Sequence, residues 1–282
     1  MDELIAAIQV QEAEPDTREK CEAAKAAWDA LTDEQKELVE EADYFGRDTG
    51  DASLDDPRNG DDIGQNELLV VSFGTSFNDS RVADIKGIED ALAEAYPDWA
   101  VRRAFTAQII INHVYARDGE VIDNITDALN RAVVSSTENI VIQPTHLMHG
   151  AEYDEIVAAV EEFRPLFKTI VIAEPLLGEV GADAGEVNAD KEAVAKAAVA
   201  EAVSLTDYDS IEAAAEDGTA FVFMGHGTSH TAKVTYSQMQ TQMENLGYAN
   251  VFIGTVEGEP EETACEVIID KVKAAGYKKV VL

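Results

Sequence analysis

The sequence predicts an α/β protein built from two similar parallel-sheet domains behind a helical extension. Three observations lead there. From Glu67 onward, short apolar runs alternate with amphipathic stretches. A Gly-Thr-Ser motif follows two of those runs, at Gly74 and at Gly227, 153 residues apart. Residues 1–66 differ from the rest, with helical spacing and 20 acids against 6 bases. Alternation of strand and helix implies a mostly parallel sheet covered on both faces. Repetition of one βα turn at domain-sized distance implies an internal duplication.

The elements follow in order. Residues 17–42 carry Ala24, Trp28, Leu31 and Val39 as the apolar positions of a helical hairpin. Thr32 and Gln35 have capping-box spacing for its second helix. Residues 45–66 are rich in Gly, Asp and Asn, the composition of a linker. The extension is expected to be a solvated appendage. Its first 45 residues should dock loosely on the body or a partner, and its linker is too polar to pack. The first domain is placed at 67–178. Its strands are expected at 67–73, 99–105, 139–145 and 169–177, and its helices at 79–95, 108–117, 121–132 and 152–163. The second domain, 179–282, opens on an acidic, Ala-rich stretch, 178–218, with 11 acids against 2 bases. Helices are expected at 191–203, 237–246 and 262–275, and strands at 220–226, 250–256 and 278–282. Because the sequence stops inside a strand without a covering helix, the second domain is expected to be truncated at its C-terminus. In such folds ligands bind beyond the carboxyl ends of the strands. The turns at Gly74 and Gly227 are therefore expected to face one cleft.

Composition narrows the function. The 282 residues hold 56 Asp+Glu against 21 Lys+Arg, a net charge of −35. That surface repels nucleic acid, since each phosphate contact needs a cation. No apolar run approaches the roughly 18 residues of a membrane span. The N-terminus lacks the basic start and apolar stretch of a signal peptide, so a cytoplasmic location is expected, with an exported or cell-surface form as the alternative. Cys21 and Cys265 stand far apart, which excludes a disulfide framework. Neither has a cysteine neighbour at metal-ligand spacing. No GxxxxGK[ST] loop is present, so no nucleotide is expected. No GxSxG elbow supports a nucleophilic serine.

Four of the five histidines follow expected strands: His146 and His149 in THLMHGAE, and His226 and His230 in GHGTSH. Glu152 opens the helix after the first motif, and Glu257 follows the strand NVFIGTV. Imidazole and carboxylate at strand ends suit a divalent transition cation. Glycines on either side of His226 allow close backbone approach to a ligand. Blander readings stand beside these. His149 and His230 read as exposed loop residues, His113 as a residue of a helix surface, and His146 equally as a structural histidine. Glu152 also suits the positive N-terminus of a helix without any further role.

LLVVSFGTSF, RAFTAQII, THLMHGAEYDEI and VFMGHGTSH followed by GTVEGEP occur here in one order. Over residues 67–282 they resemble the sirohydrochlorin cobaltochelatases, class II chelatases related to protoporphyrin ferrochelatase. The resemblance implies two Rossmann-like chelatase domains with a cleft between them. It implies ATP-independent insertion of Co²⁺, as substrate metal, into sirohydrochlorin or a related tetrapyrrole in anaerobic cobalamin synthesis. The histidine of the GHG turn, which binds metal and receives pyrrole protons in the family, matches His226. The family's two glutamates match Glu257, assigned to metal and catalysis, and Glu152, assigned to catalysis. The second metal-binding histidine of the family has no matching position before Leu282. Substrate contacts are assigned to His146, Ser72, Gly74, Thr75, Phe105 and Gly227. An acidic protein that takes a many-carboxylate macrocycle needs a local basic rim, for which Arg81, Arg102 and Arg103 are the candidates. Insertion of Ni²⁺ or Fe²⁺ into the same macrocycle is the near alternative, and non-catalytic binding of metal or tetrapyrrole the distant one. A homo-oligomer is left open. ALTDEQKELV resembles helical modules of bacterial surface proteins, which motivates the exported alternative.

Overall fold

The computed structural model describes residues 1–282. Its contacts divide the chain into two compact units: residues 1–145 with 155–173, and residues 146–154 with 174–282. The first unit contains four parallel strands, β1 (Asn66–Ser72), β2 (Ala100–Phe105), β3 (Asn139–Pro144) and β4 (Thr169–Ile172), in the order β2-β1-β3-β4. Leu69 on β1 pairs in register with Arg102 on β2 and Ile142 on β3. Leu69 and Val71 enter a core with Ile140, Ile142, Leu129, Ile156 and Val160. Leu68 and Val70 join Val101 in a separate cluster backed by Leu92 and Trp99. Both faces of β1 are thus covered, which is why its sequence reads as an unbroken apolar run.

The second unit contains β5 (Thr219–Gly225), β6 (Val251–Thr255) and β7 (Lys279–Val281), all parallel, in the order β6-β5-β7. This order repeats that of β2-β1-β3. Each central strand, β1 or β5, runs into a Gly-Thr-Ser turn. Gly74 has φ +101° and Gly227 φ +94°, conformations that L side chains rarely adopt. In each turn the threonine Oγ1 accepts from the backbone N–H two residues on: Phe77 N to Thr75 at 3.1 Å, and His230 N to Thr228 at 3.1 Å. Strand order and turn geometry are therefore alike in the two units.

The expected helices form with shifted ends, at Lys86–Ala95, Gln108–Asp118, Ile125–Val134, Ala151–Phe163, Ala189–Ser204, Val234–Asn245 and Cys265–Ala274. Arg81–Ile85, inside the first expected helix, forms a π turn. The strand expected over 169–177 stops at Ile172. A short helix at Ile211–Glu216 was not foreseen; Ser210 caps it by accepting from Ala213 N.

The extension corrects the expectation of loose docking. Ile5, Ile8, Cys21, Ala24 and Tyr44 form a buried cluster with Ala116 of the helix Gln108–Asp118. Asn112 Nδ2 donates to the Ile8 carbonyl at 2.9 Å. His113 is not on an open helix surface. Its ring stacks on Tyr44 at 3.8 Å and its Nε2 lies 2.6 Å from the Tyr44 carbonyl. Burial is the main reason its pKa falls to about 4. The linker packs as well. Ile63 enters the main core of the first unit. Asp55 has no exposed side-chain surface and accepts from Arg81 Nε at 2.8 Å and from Arg103 Nη1 and Nη2 at 2.6 and 2.9 Å. Arg103 also donates to buried Glu89 at 2.8 and 2.9 Å. Burial raises the pKa of Asp55, and the two guanidinium groups outweigh it, so the net shift is downward. Arg81, Arg102 and Arg103 are all buried. They hold the linker in place and do not form the expected basic rim.

Candidate active site

His226 stands where β5 ends, and Glu257 where β6 ends. The β5–β6 pairing runs past both strands: Val256 N donates to the Gly225 carbonyl at 3.0 Å, and Glu257 N to the His226 carbonyl at 2.9 Å. These bonds fix the two residues side by side. His226 Nδ1 lies 3.8 Å from Glu257 Oε2, and the side chains are 78% and 54% exposed. Both are thus free to meet a ligand from solvent. A Cβ on Gly227 would come within 3.1 Å of the Glu259 carbonyl and 3.3 Å of the Glu257 Cβ, so the turn presses directly on the carboxylate-bearing loop.

His146 and Glu152 lie in the same unit, near enough for the carboxylate's charge to act on the ring. Neither ring nitrogen of His146 has a hydrogen-bond partner, although both are buried. Burial lowers its pKa and Glu152 pulls it the other way. The imidazole is thus held neutral, with a lone pair available. Glu152 lies in the first turn of the helix Ala151–Phe163. The expected boundary places Glu152 in the first domain, whereas the contacts group residues 146–154 with the second unit, which also holds His226 and Glu257.

The remaining substrate-contact candidates, Ser72, Gly74, Thr75 and Phe105, lie in the first unit. Ser72 is 2% exposed, and its Oγ accepts from Thr145 Oγ1 at 2.9 Å. Phe105 is fully buried beneath Gly74, where an added Cβ would sit 2.5 Å from the ring. Thr75 closes its own turn, and its carbonyl accepts from Arg81 Nη1 at 3.3 Å. His230 is not a free loop residue, since its Nδ1 accepts from Ala232 N at 3.2 Å and its Nε2 lies 3.4 Å from Asp154. No sequence signal points to Tyr236, whose hydroxyl accepts from Gly227 N at 3.2 Å and holds the GHG turn. Its partner is nine residues away, and no motif links them.

A duplicated parallel α/β protein with imidazole and carboxylate on neighbouring strand ends has the donor set of a divalent-cation enzyme. The comparison with known proteins narrows this class: the chain belongs to the cobalt chelatase (CbiK) family, whose model matches residues 66–282. It is 33% identical over 209 residues to the sirohydrochlorin cobaltochelatase of Salmonella typhimurium, covering 74% of this chain and 71% of that protein. It is 27% identical over 215 residues to the sirohydrochlorin cobaltochelatase CbiKC of Nitratidesulfovibrio vulgaris, covering 76% and 68%. No helix is long and apolar enough to cross a membrane.

Proposed function

We propose that the protein is a lyase-class chelatase that inserts Co²⁺ into sirohydrochlorin without nucleotide, in the route to cobalamin. The observation that carries this reading is the exposed pair of His226 and Glu257, 3.8 Å apart at neighbouring strand ends, in a chain of the cobalt chelatase family. Insertion exchanges the two pyrrolic protons of the macrocycle for one M²⁺ and strips water from the ion. In this reading His226 holds the incoming cation through one imidazole nitrogen, a bond of moderate, pH-dependent strength that permits release. Glu257 offsets part of the cation's charge and takes up a proton from the macrocycle. Glu152 serves as the further proton acceptor, and the neutral ring of His146 contacts the macrocycle. Gly227 shapes the turn that presents His226 to the macrocycle, and Ser72, Gly74, Thr75 and Phe105 shape the equivalent turn of the first unit. The setting proposed is the cytoplasm.

The test is an absorbance assay of metal insertion on the purified chain without ATP, with Co²⁺, Ni²⁺ and Fe²⁺ in parallel. His226→Ala removes the nitrogen donor to the cation and should lower the Co²⁺ rate by about 100-fold or more, at least the loss that follows removal of a partner outside the ligand shell, with an unchanged melting curve. A folded variant that keeps the wild-type rate would overturn the reading. Faster turnover with Ni²⁺ or Fe²⁺ would keep the site and change the metal.

A further inference from the structure

The second unit holds another set of metal-ligating side chains that the proposed reaction does not use. His149 Nε2 lies 2.6 Å from Glu174 Oε2, and ligand atoms of His149, Glu174 and Glu179 all lie within 4.8 Å of one another. The three come from two loops. His149 closes the loop after β3, while Glu174 and Glu179 lie on the segment after β4. Backbone bonds tie the loops together: Leu176 N donates to the His146 carbonyl at 3.0 Å, and Leu177 N to the Leu147 carbonyl at 2.9 Å. Fully buried Lys191 then pins the far end, donating to the carbonyls of Leu177 and Glu179 at 2.9 and 2.8 Å. Asn188 Nδ2 donates to the same two carbonyls, at 3.2 and 3.0 Å. The ring of His149 packs on Tyr153 with centroids 4.3 Å apart. The donors therefore project from a backbone that is fixed before any ion arrives, which is what a metal site requires.

We propose that His149, Glu174 and Glu179 form a second binding site for a divalent first-row transition cation, separate from the His226–Glu257 pair. Bonds of about 2.0–2.2 Å to nitrogen and oxygen set neighbouring donors roughly 3–3.5 Å apart. The present separations run from 2.6 Å to no more than 4.8 Å, and rotation of the exposed glutamates brings the donors to that spacing. Two carboxylates neutralise the ion's charge. The imidazole selects Co²⁺, Ni²⁺ or Zn²⁺ over the oxygen-seeking Mg²⁺ and Ca²⁺. An open cavity lined by His149, Gly181 and Thr231 adjoins the imidazole and gives a hydrated ion its entry path. Three protein donors leave the other positions to water, which makes the bound ion exchangeable.

The test reads binding, not insertion, so it stands or falls independently of the proposed activity. The full chain carrying His226→Ala and Glu257→Gln is titrated with CoCl₂ by calorimetry, and the visible absorption of the bound ion is recorded. One equivalent of Co²⁺ should remain. Adding Glu174→Gln and Glu179→Gln should weaken it at least tenfold or abolish it. His149→Asn alone in that background leaves both carboxylates in place. It should weaken the same equivalent and shift its absorption, and it decides the matter if the four-substitution variant folds poorly. Unchanged affinity and spectrum after these substitutions would overturn the proposal and leave His149–Glu174 as an ion pair. Absence of any bound equivalent in the starting background would also overturn it.

Discussion

Replacing Glu67 with Gln should stabilise the protein at pH 8 and leave it nearly unchanged at pH 4.5. Glu67 lies on β1, is fully buried, and neither carboxyl oxygen has a hydrogen-bond partner. Burial raises its pKa from 4.5 to about 7, against the opposing charge of Arg102 and with the help of Asp123. The folded protein therefore keeps a proton that the unfolded chain releases between those two values. Stability is fully present below the unfolded value and is lost as pH rises through the folded one. At about 1.36 kcal/mol per pH unit, that window costs about 3 kcal/mol by pH 8. Gln keeps the shape and stays neutral, so it escapes the cost. Urea melts at the two pH values, compared at constant m, measure the difference. The gain should be about 2–3 kcal/mol at pH 8 and below about 0.5 kcal/mol at pH 4.5. A gain of equal size at both pH values would refute the reasoning, as would a Gln variant less stable than wild type at pH 8.

Asp55→Ala removes the carboxylate shared by Arg81 and Arg103 and leaves two buried guanidinium groups short of a partner. Loss of one member of a buried pair costs about 3–5 kcal/mol, so the thermal midpoint should fall by roughly 10 °C. Because the carboxyl of Asp55 is held below its ordinary range, its contribution is present above that range and fades as pH falls through the lowered value. The variant and wild type should therefore converge in acid urea melts. Deleting residues 1–66 removes the same carboxylate together with Ile63 and should lower the midpoint by more than about 8 °C in one buffer. Gly74→Ala forces a side chain into φ +101° and against the Phe105 ring. It should cost about 2 kcal/mol and lower the midpoint by about 4–8 °C, whereas a wild-type melt would mean the turn can relax.

The sheets were legible because their signals are local. Apolar runs such as LLVV are bounded by polar residues, and the Gly-Thr-Ser repeat sits at the end of each central strand. His226 and Glu257 were legible for the same reason, since each directly follows a strand. The linker was not. Composition registers Asp55 as one more acid in a polar stretch, while its partners lie 26 and 48 residues away. Arg102 and Arg103 looked like surface cations on a strand. Nothing near them in sequence shows that the linker covers one, or that Asp123 at 3.3 Å pairs the other. The capping box at Thr32 is legible in sequence, because both of its bonds lie within four residues. The approach of His149 to Glu174 depends on two loops folding alongside each other, and their sequence spacing carries no trace of it.

The equivalence of the two turns extends to the residue before each glycine. Phe73 occupies in VVSFGTS the place that His226 occupies in FMGHGTS, and its side chain too is turned outward, with the residue 50% exposed. One backbone shape therefore presents a benzene ring in one copy and an imidazole in the other. The turn acts as a mounting whose fitting can be exchanged while its own conformation stays the same. Exchange of that one side chain replaces a hydrocarbon face with a nitrogen donor, and neither choice asks the sheet to change.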